Sequence, residues 1–243
     1  MRFALIGYGK MGKAIEEVAL SRGHDVGLKV DASNAGTPPT GCDVAIEFSK
    51  PNQALANMRL CLEAGVPVVV GTTGWYDHLN DVRAMVALNN GTLLWASNFS
   101  IGVNLFFRVN RQLAILMDKQ PGYSVHIDEI HHVHKRDAPS GTAITLARDI
   151  DVSTQRYSGW DLTPAPSPKE RGAEPARVPI LSERTGEVPG KHSVTWTSPE
   201  DRIIITHEAF SRKGFATGAV IAAEWLHGRK GLFTMDDLLD DLA

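Results

Sequence analysis

The chain has 243 residues, 43% of them hydrophobic, which is enough to bury the core of one compact unit or of two small domains. Its formal charge of −3, from 25 Lys and Arg against 28 Asp and Glu, excludes the basic field that a nucleic-acid partner requires. No apolar run approaches the roughly 18 residues of a membrane span, Cys42 and Cys61 fall in segments that read as core, and no charged stretch precedes a cleavable apolar segment, so a soluble protein of the reducing cytoplasm is expected.

In chain order, Phe3–Ile6 reads as a strand and Met11–Arg22 as a helix, with Met11, Ile15 and Val18 on one face and Gly23 closing it. The rhythm continues through strand Val26–Val30, strand Val44–Phe48, a helix over Pro51–Ala64, strand Val68–Val70, a helix over Tyr76–Leu88 and strand Leu93–Ala96. Strands alternating with helices predict a Rossmann-type α/β domain with a parallel, doubly wound sheet over residues 1–99. Beyond Ser100 the pattern changes. Leu105, Phe106, Val109, Leu113, Leu116 and Met117 mark a longer amphipathic helix, and strands Val125–Ile130, Val178–Ser182, His192–Trp196 and Ile203–His207 suit a mixed or antiparallel open sheet. Residues 100–213 are therefore expected to form an α+β substrate domain. Residues 163–179, with five prolines and no helical period, predict an exposed loop. The small apolar helix Phe215–Leu226 lies in a closing segment, 214–243, expected to pack back on the first domain.

The turn Gly7-Tyr8-Gly9-Lys10-Met11-Gly12 fits GxGxxG between a strand and a helix. Gly7 permits a tight bend, Gly9 brings main-chain N–H groups to a pyrophosphate, and Gly12 lets the helix pack closely. The same turn could belong to another α/β fold. Asp31 at the end of the second strand is placed to bond the ribose hydroxyls, although a plain turn former would look alike. A 2′-phosphate would need cations there, yet Ala32, Ser33 and Asn34 follow, so NADH is favoured over NADPH, with Lys10 and Lys29 as candidate phosphate partners. Gly71, Thr72 and Thr73 close the next predicted strand at the ligand-binding edge of such sheets. At the following one, in Ala96-Ser97-Asn98-Phe99, Asn98 could bond a carboxamide and Phe99 flank a nicotinamide ring, or be a buried aromatic at a hinge.

Residues 126–142, HIDEIHHVHKRDAPSGT, concentrate four histidines, a lysine and an arginine ahead of a helix start. Histidine relays protons near neutrality, and Lys135 is a compact cation able to offset developing negative charge. Ser140 reads as a helix N-cap, leaving N–H groups at Gly141 and Thr142 to cradle a carboxylate. A dicarboxylate substrate fits this set. HHxH could bind zinc, but His131 and His132 on opposite faces of a strand end do not converge on one ion, so no metal is expected.

The string EIHHVHKRDAPSGTA, together with GTTGW, SNFSIGVN, RTGEVPGKHSV and HEAFSRKGFATGA, resembles the dihydrodipicolinate reductase family over nearly the whole chain. The resemblance implies NAD(P)H-dependent reduction in the diaminopimelate route to lysine, with hydride delivered to a conjugated imine. It implies His131 as proton donor or acceptor, Lys135 as a proton donor, His132 as a substrate contact, and Gly141 with Thr142 as the carboxylate pair. It also implies a dinucleotide lined by Gly7–Gly12, Asp31, Gly71–Thr73 and Ala96–Phe99, and a homotetramer. Ala32 departs from members with an arginine after the ribose acid. Another two-domain NAD enzyme, or a catalytically silent nucleotide sensor, would share the first domain.

Overall fold

The computed structural model describes residues 1–163, 175–211 and 213–242. In chain order the elements are β1 (Arg2–Ile6), α1 (Lys10–Ser21), β2 (Asp25–Val30), β3 (Val44–Glu47), α2 (Pro51–Glu63), β4 (Val68–Val70), α3 (Leu79–Leu88), β5 (Thr92–Trp95) and α4 (Ile101–Asp118). Next come β6 (Ser124–His131), α5 (Gly141–Ser153), β7 (Tyr157–Leu162), β8 (Ala176–Arg184), β9 (Gly190–Thr197) and β10 (Arg202–Ala209). The chain closes with α6 (Lys213–Leu226), β11 (Gly231–Phe233) and α7 (Met235–Leu242). Two compact units result, Met1–Asn104 with Arg212–Ala243, and Leu105–Ser211.

In the first unit all strands run parallel in the order β11-β5-β4-β3-β1-β2. Both faces are covered, which is why Phe3–Ile6, Val44–Ile46 and β4 read as unbroken apolar runs rather than alternating ones. One face packs Phe3, Leu5, Ile46 and Leu94 against α1, α6 and α7, and the other packs Ile6, Ala45 and Val70 against α2 and α3. A Cβ on Gly218 would overlap the Phe99 carbonyl, so α6 lies against the segment that follows β5 only because it carries glycine there. Arg22 grips Glu224 through two bonds of 2.8 and 2.7 Å, and His24 approaches the same carboxylate at 2.7 Å, tying α6 to α1. Strand order reverses between β1 and β3, which places a crevice at their carboxyl ends.

Several local expectations change. Tyr76–His78 is a separate 3-10 turn closed by His78 N–H on the Trp75 carbonyl, and the α-helix starts only at Leu79. Cys61 is buried, but Cys42 is only half-buried rather than a core thiol.

The second unit holds a mixed sheet in the order β10-β9-β6-β8-β7. β6 pairs antiparallel with β9 and parallel with β8. α5 covers the sheet, burying Ala143, Leu146, Ala147 and Ile150. Of the loop expected over 163–179, residues 164–174 lie outside the described residues, while Ala176–Pro179 already belong to β8 and Thr163 N–H bonds the Ile180 carbonyl. β7 escapes sequence reading because its register shifts between Tyr157 and Trp160, where Gly159 takes φ +71°. No helix among the described residues is long and apolar enough to cross a membrane.

Candidate active site

In the first unit the chain leaves β1 and folds over the end of β2, with the Gly7 and Tyr8 N–H groups both donating to the Val30 carbonyl at 2.9 Å. Gly7 takes φ +92°, and a Cβ there would overlap the Phe48 carbonyl. A Cβ on Gly12 would sit 2.7 Å from the Gly7 oxygen, so the third glycine lets α1 begin directly on the turn. Gly9 is different: its Cβ would meet nothing within 4 Å, so its bare backbone faces open space. α1 has no side-chain N-cap, which leaves the positive end of the helix and its first N–H groups for an anion. These are the features that a dinucleotide pyrophosphate needs, and the residues present fit one.

A cavity of about 300 Å³ opens there. Gly9, Lys10, Met11, Gly71, Thr72 and Thr73 line it, together with Phe48, Ser49 and Pro51. The aromatic wall is therefore Phe48. Ala96, Ser97, Asn98 and Phe99 do not line the cavity. Phe99 is 2% exposed with its ring 5.7 Å from that of Phe48, and Asn98 Oδ1 accepts the Ser100 N–H, so this segment supports the cavity wall from behind.

Asp31 stands exposed at the end of β2, its Oδ1 accepting the Ser33 N–H at 2.8 Å and the Ser33 hydroxyl at 2.6 Å. Those bonds hold its carboxyl below the usual range. Lys29 is not a free phosphate partner: its Nζ lies 2.5 Å from Glu16 Oε1 and 4.8 Å over the Tyr8 ring, while the Tyr8 hydroxyl donates to the other oxygen of Glu16.

In the second unit, buried and half-buried positions alternate along β6, so Val125, Ile127, Glu129 and His131 face inward. His131 is only 7% exposed. Its ring fits because Gly190, at φ +155°, has no side chain; a Cβ there would lie 3.0 Å from His131 Nε2. Its Nδ1 is 3.2 Å from Glu129 Oε2. His192 stands edge-on to it, ring centroids 5.0 Å apart. Burial and then His131 push His192 down to about 3, so it is neutral. Glu129 stays ionised: burial alone would raise it, but the nearby His131 and bonds from Ser140, Ser182 and Arg184 hold it well below the usual carboxylate range.

After β6 the chain turns, and Lys135 Nζ reaches Asp137 Oδ2 at 2.8 Å with the lysine side chain 24% exposed. The His132 ring lies 5.9 Å from that of His134, which pairs with Glu187 at 3.0 Å. Ser140 caps α5 as its spacing predicts, its Oγ accepting the Ala143 N–H at 3.2 Å and its carbonyl the Ile144 N–H at 3.0 Å. The N–H groups of Gly141 and Thr142 remain at the helix mouth without a partner among the described residues. A Cβ on Gly141 would meet nothing within 4 Å, so the approach is open. Cation, imidazole and bare amides converge on one end of β6, a set suited to holding a carboxylate and moving a proton.

Sequence reading did not single out Glu129, Ser182, Arg184 or His192. The signal was an acid on the apolar face of a predicted strand, which needs a buried counter-charge. One ligand atom each from Glu129, His131 and His192 falls within 4.8 Å, a set different from HHxH, but the Arg184 guanidinium on the same carboxylate, at 3.0 Å, already supplies the compensating charge.

Two family models match the chain: one described as dihydrodipicolinate reductase, N-terminus, over residues 1–99, and one described as dihydrodipicolinate reductase, C-terminus, over residues 102–239. A 4-hydroxy-tetrahydrodipicolinate reductase from Christiangramia forsetii is 45% identical over 244 residues, covering 100% of this chain and 99% of the relative. One from Neisseria meningitidis serogroup A is 34% identical over 231 residues, 92% of this chain and 83% of the relative. Among solved structures, the dipicolinate-bound dihydrodipicolinate reductase from Paenisporosarcina sp. TG-14 superposes with a TM-score of 0.77 at 23% identity, covering 96% of this chain and 97% of that one. That likeness is one of fold.

Proposed function

The chain belongs to the dihydrodipicolinate reductase family, and from that premise we propose how its residues reduce 4-hydroxy-tetrahydrodipicolinate to tetrahydrodipicolinate in the diaminopimelate route to lysine. It is an NAD(P)H-dependent oxidoreductase. Bound in the crevice of the first unit, the reduced nicotinamide supplies the hydride. The glycine turn and the start of α1 hold the pyrophosphate, Asp31 bonds the ribose, and Gly71–Thr73 with Phe48 receive the nicotinamide end.

In the second unit the Gly141 and Thr142 N–H groups grip one carboxylate, and His132 contacts the substrate. Lys135 offsets the negative charge that develops on the ring nitrogen as hydride arrives and donates a proton there. Water is lost from the 4-hydroxylated ring before the hydride arrives, and His131 through Nε2 exchanges the proton of that step or reprotonates Lys135, so that one hydride and one proton are consumed and one water is released. The observation that carries this reading is the junction of Lys135, His131 and the bare N–H pair of α5 at one strand end. The dipicolinate held by the structural neighbour has the same double carboxylate chemistry.

NADH is the preferred cofactor. Ala32 offers no cation for a 2′-phosphate, and Lys29 is engaged by Glu16 at 2.5 Å. The working form is a homotetramer, for which the exposed Ile203 and Ile204 on β10 and Leu105, Val109 and Leu116 on α4 provide apolar contact surface. It functions in the cytoplasm, in keeping with its free Cys42 and Cys61. The test couples the protein to the preceding synthase and follows absorbance with NADH and NADPH in parallel. Both are expected to be oxidised, with the higher kcat/KM for NADH. Binding of NADH without oxidation would leave a nucleotide sensor, and a higher kcat/KM with NADPH would reverse the cofactor preference.

A further inference from the structure

Glu129 follows Val125 and Ile127 in the inner row of β6, which His131 ends, and its carboxylate is fully buried. Such a group is tolerated only when both oxygens find partners. Oε1 accepts the Ser140 N–H at 3.0 Å, the Ser182 hydroxyl at 2.7 Å and the Arg184 guanidinium at 3.0 Å. Oε2 has no aligned hydrogen bond. It lies 3.2 Å from His131 Nδ1, also without an aligned partner, and 3.7 Å from His192 Nε2. The His192 nitrogen is already 3.1 Å from Ser140 Oγ. That hydroxyl accepts the Ala143 N–H, so its own proton is available to His192 Nε2. His192 Nε2 then acts as an acceptor, and Oε2 is left to His131.

Resting on the proposed roles of His131 and of the Gly141–Thr142 pair, we infer that Glu129 is the positioning residue that couples the proton-transfer imidazole to the carboxylate cradle. Through Oε1 it anchors the backbone of Ser140, and with it the mouth of α5. Through Oε2 it directs the His131 proton to Nδ1, leaving Nε2 to exchange a proton with substrate. Contacts that are loose without substrate tighten when the reacting complex forms.

The charged and titratable groups around His131 come from each packed element. Glu129 lies on its own strand, Arg184 on β8, His192 on β9, with His207 of β10 behind it, and Lys135 and Asp137 are in the following turn. α5 presents the Ser140 hydroxyl. Among the described residues Glu129 is the acid within ion-pair distance of His131, so E129Q keeps the shape and removes the negative charge.

The test measures pH–rate profiles of the full chain with NADH in the coupled assay. E129Q is expected to lower kcat by at least about tenfold while the KM for NADH stays within about twofold. The alkaline limb of its kcat/KM profile should move toward lower pH, because the imidazole has lost its counter-charge. E129D should move the limb less, in the same direction. In an H131Q background, E129Q should change kcat by less than about twofold, since the two act as one unit. A purely structural role would lower the melting temperature and kcat while leaving the limb where it is in wild type, and that result overturns the inference. Should E129Q fail to fold, the limb of folded E129D decides in the same way. Absence of turnover by the wild-type chain sinks the proposed reaction, whereas wild-type turnover with an unmoved limb sinks only the role of Glu129.

Discussion

Replacing Lys135 with alanine is expected to lower kcat by about 10²–10³-fold, equivalent to roughly 3–4 kcal/mol of transition-state stabilisation. Its side chain is three-quarters shielded from solvent and its ammonium lies 2.8 Å from Asp137, so it is held in place rather than waving free. Charge that appears on the substrate nitrogen as hydride arrives is worth far more to a fixed cation in a shielded site than to one in water. The fold should survive the change. Asp137 is 59% exposed, and an ion pair so open to solvent contributes at most about 1 kcal/mol. Steady-state kinetics should therefore show a collapse of kcat, with the KM for NADH and the melting temperature close to wild type. Lys135→Arg should recover only part of the rate, because the guanidinium keeps the charge but is a far poorer proton donor. An unchanged kcat in the alanine variant would remove this lysine from the chemistry.

The second large effect separates two glycines of the same turn. Gly7→Ala is expected to destabilise the protein by roughly 2–4 kcal/mol, since the residue takes φ +92° and its new Cβ would lie 2.5 Å from the Phe48 carbonyl carbon and 2.8 Å from the Ser49 nitrogen. Those are backbone atoms, and Phe48 N–H is bonded to the Ile6 carbonyl at 2.8 Å, so the turn and the end of β3 would have to move together. Gly9→Ala should melt like wild type, because its Cβ meets nothing within 4 Å. It should nevertheless raise the Kd for NADH by at least about tenfold, because the methyl projects where the pyrophosphate needs bare backbone. Thermal melts and NADH fluorescence titrations distinguish the two, and a Gly9→Ala variant that binds NADH like wild type would contradict the placement of the cofactor.

Features carried by local chemistry were legible in the sequence. The strand, glycine turn and helix of residues 2–21 each follow from neighbouring residues, as does the Ser140 cap. The Lys135 turn is legible for a different reason: its density of histidine and charge has no packing explanation. What was lost depends on distant partners. Glu129 looks like a misplaced polar residue until Arg184 on β8 and His192 on β9 are seen beside it. Lys29 reads as a free cation until Glu16, on the helix packed beside β2, takes it up. β11, three residues long, is a strand only because β5 supplies a parallel edge. Phe99 and Phe48 both stand near strand ends and differ only in which side of the cavity wall each ring occupies.

The proposed delivery of hydride from NADH to the substrate ring is best tested with NADH carrying deuterium at both C4 positions. After turnover in the coupled assay, mass spectrometry of the product should find one deuterium per tetrahydrodipicolinate, and Lys135→Ala should slow its appearance without changing that ratio. Product formed without the label, or consumption of labelled NADH with no reduced product, would contradict the assignment of both units.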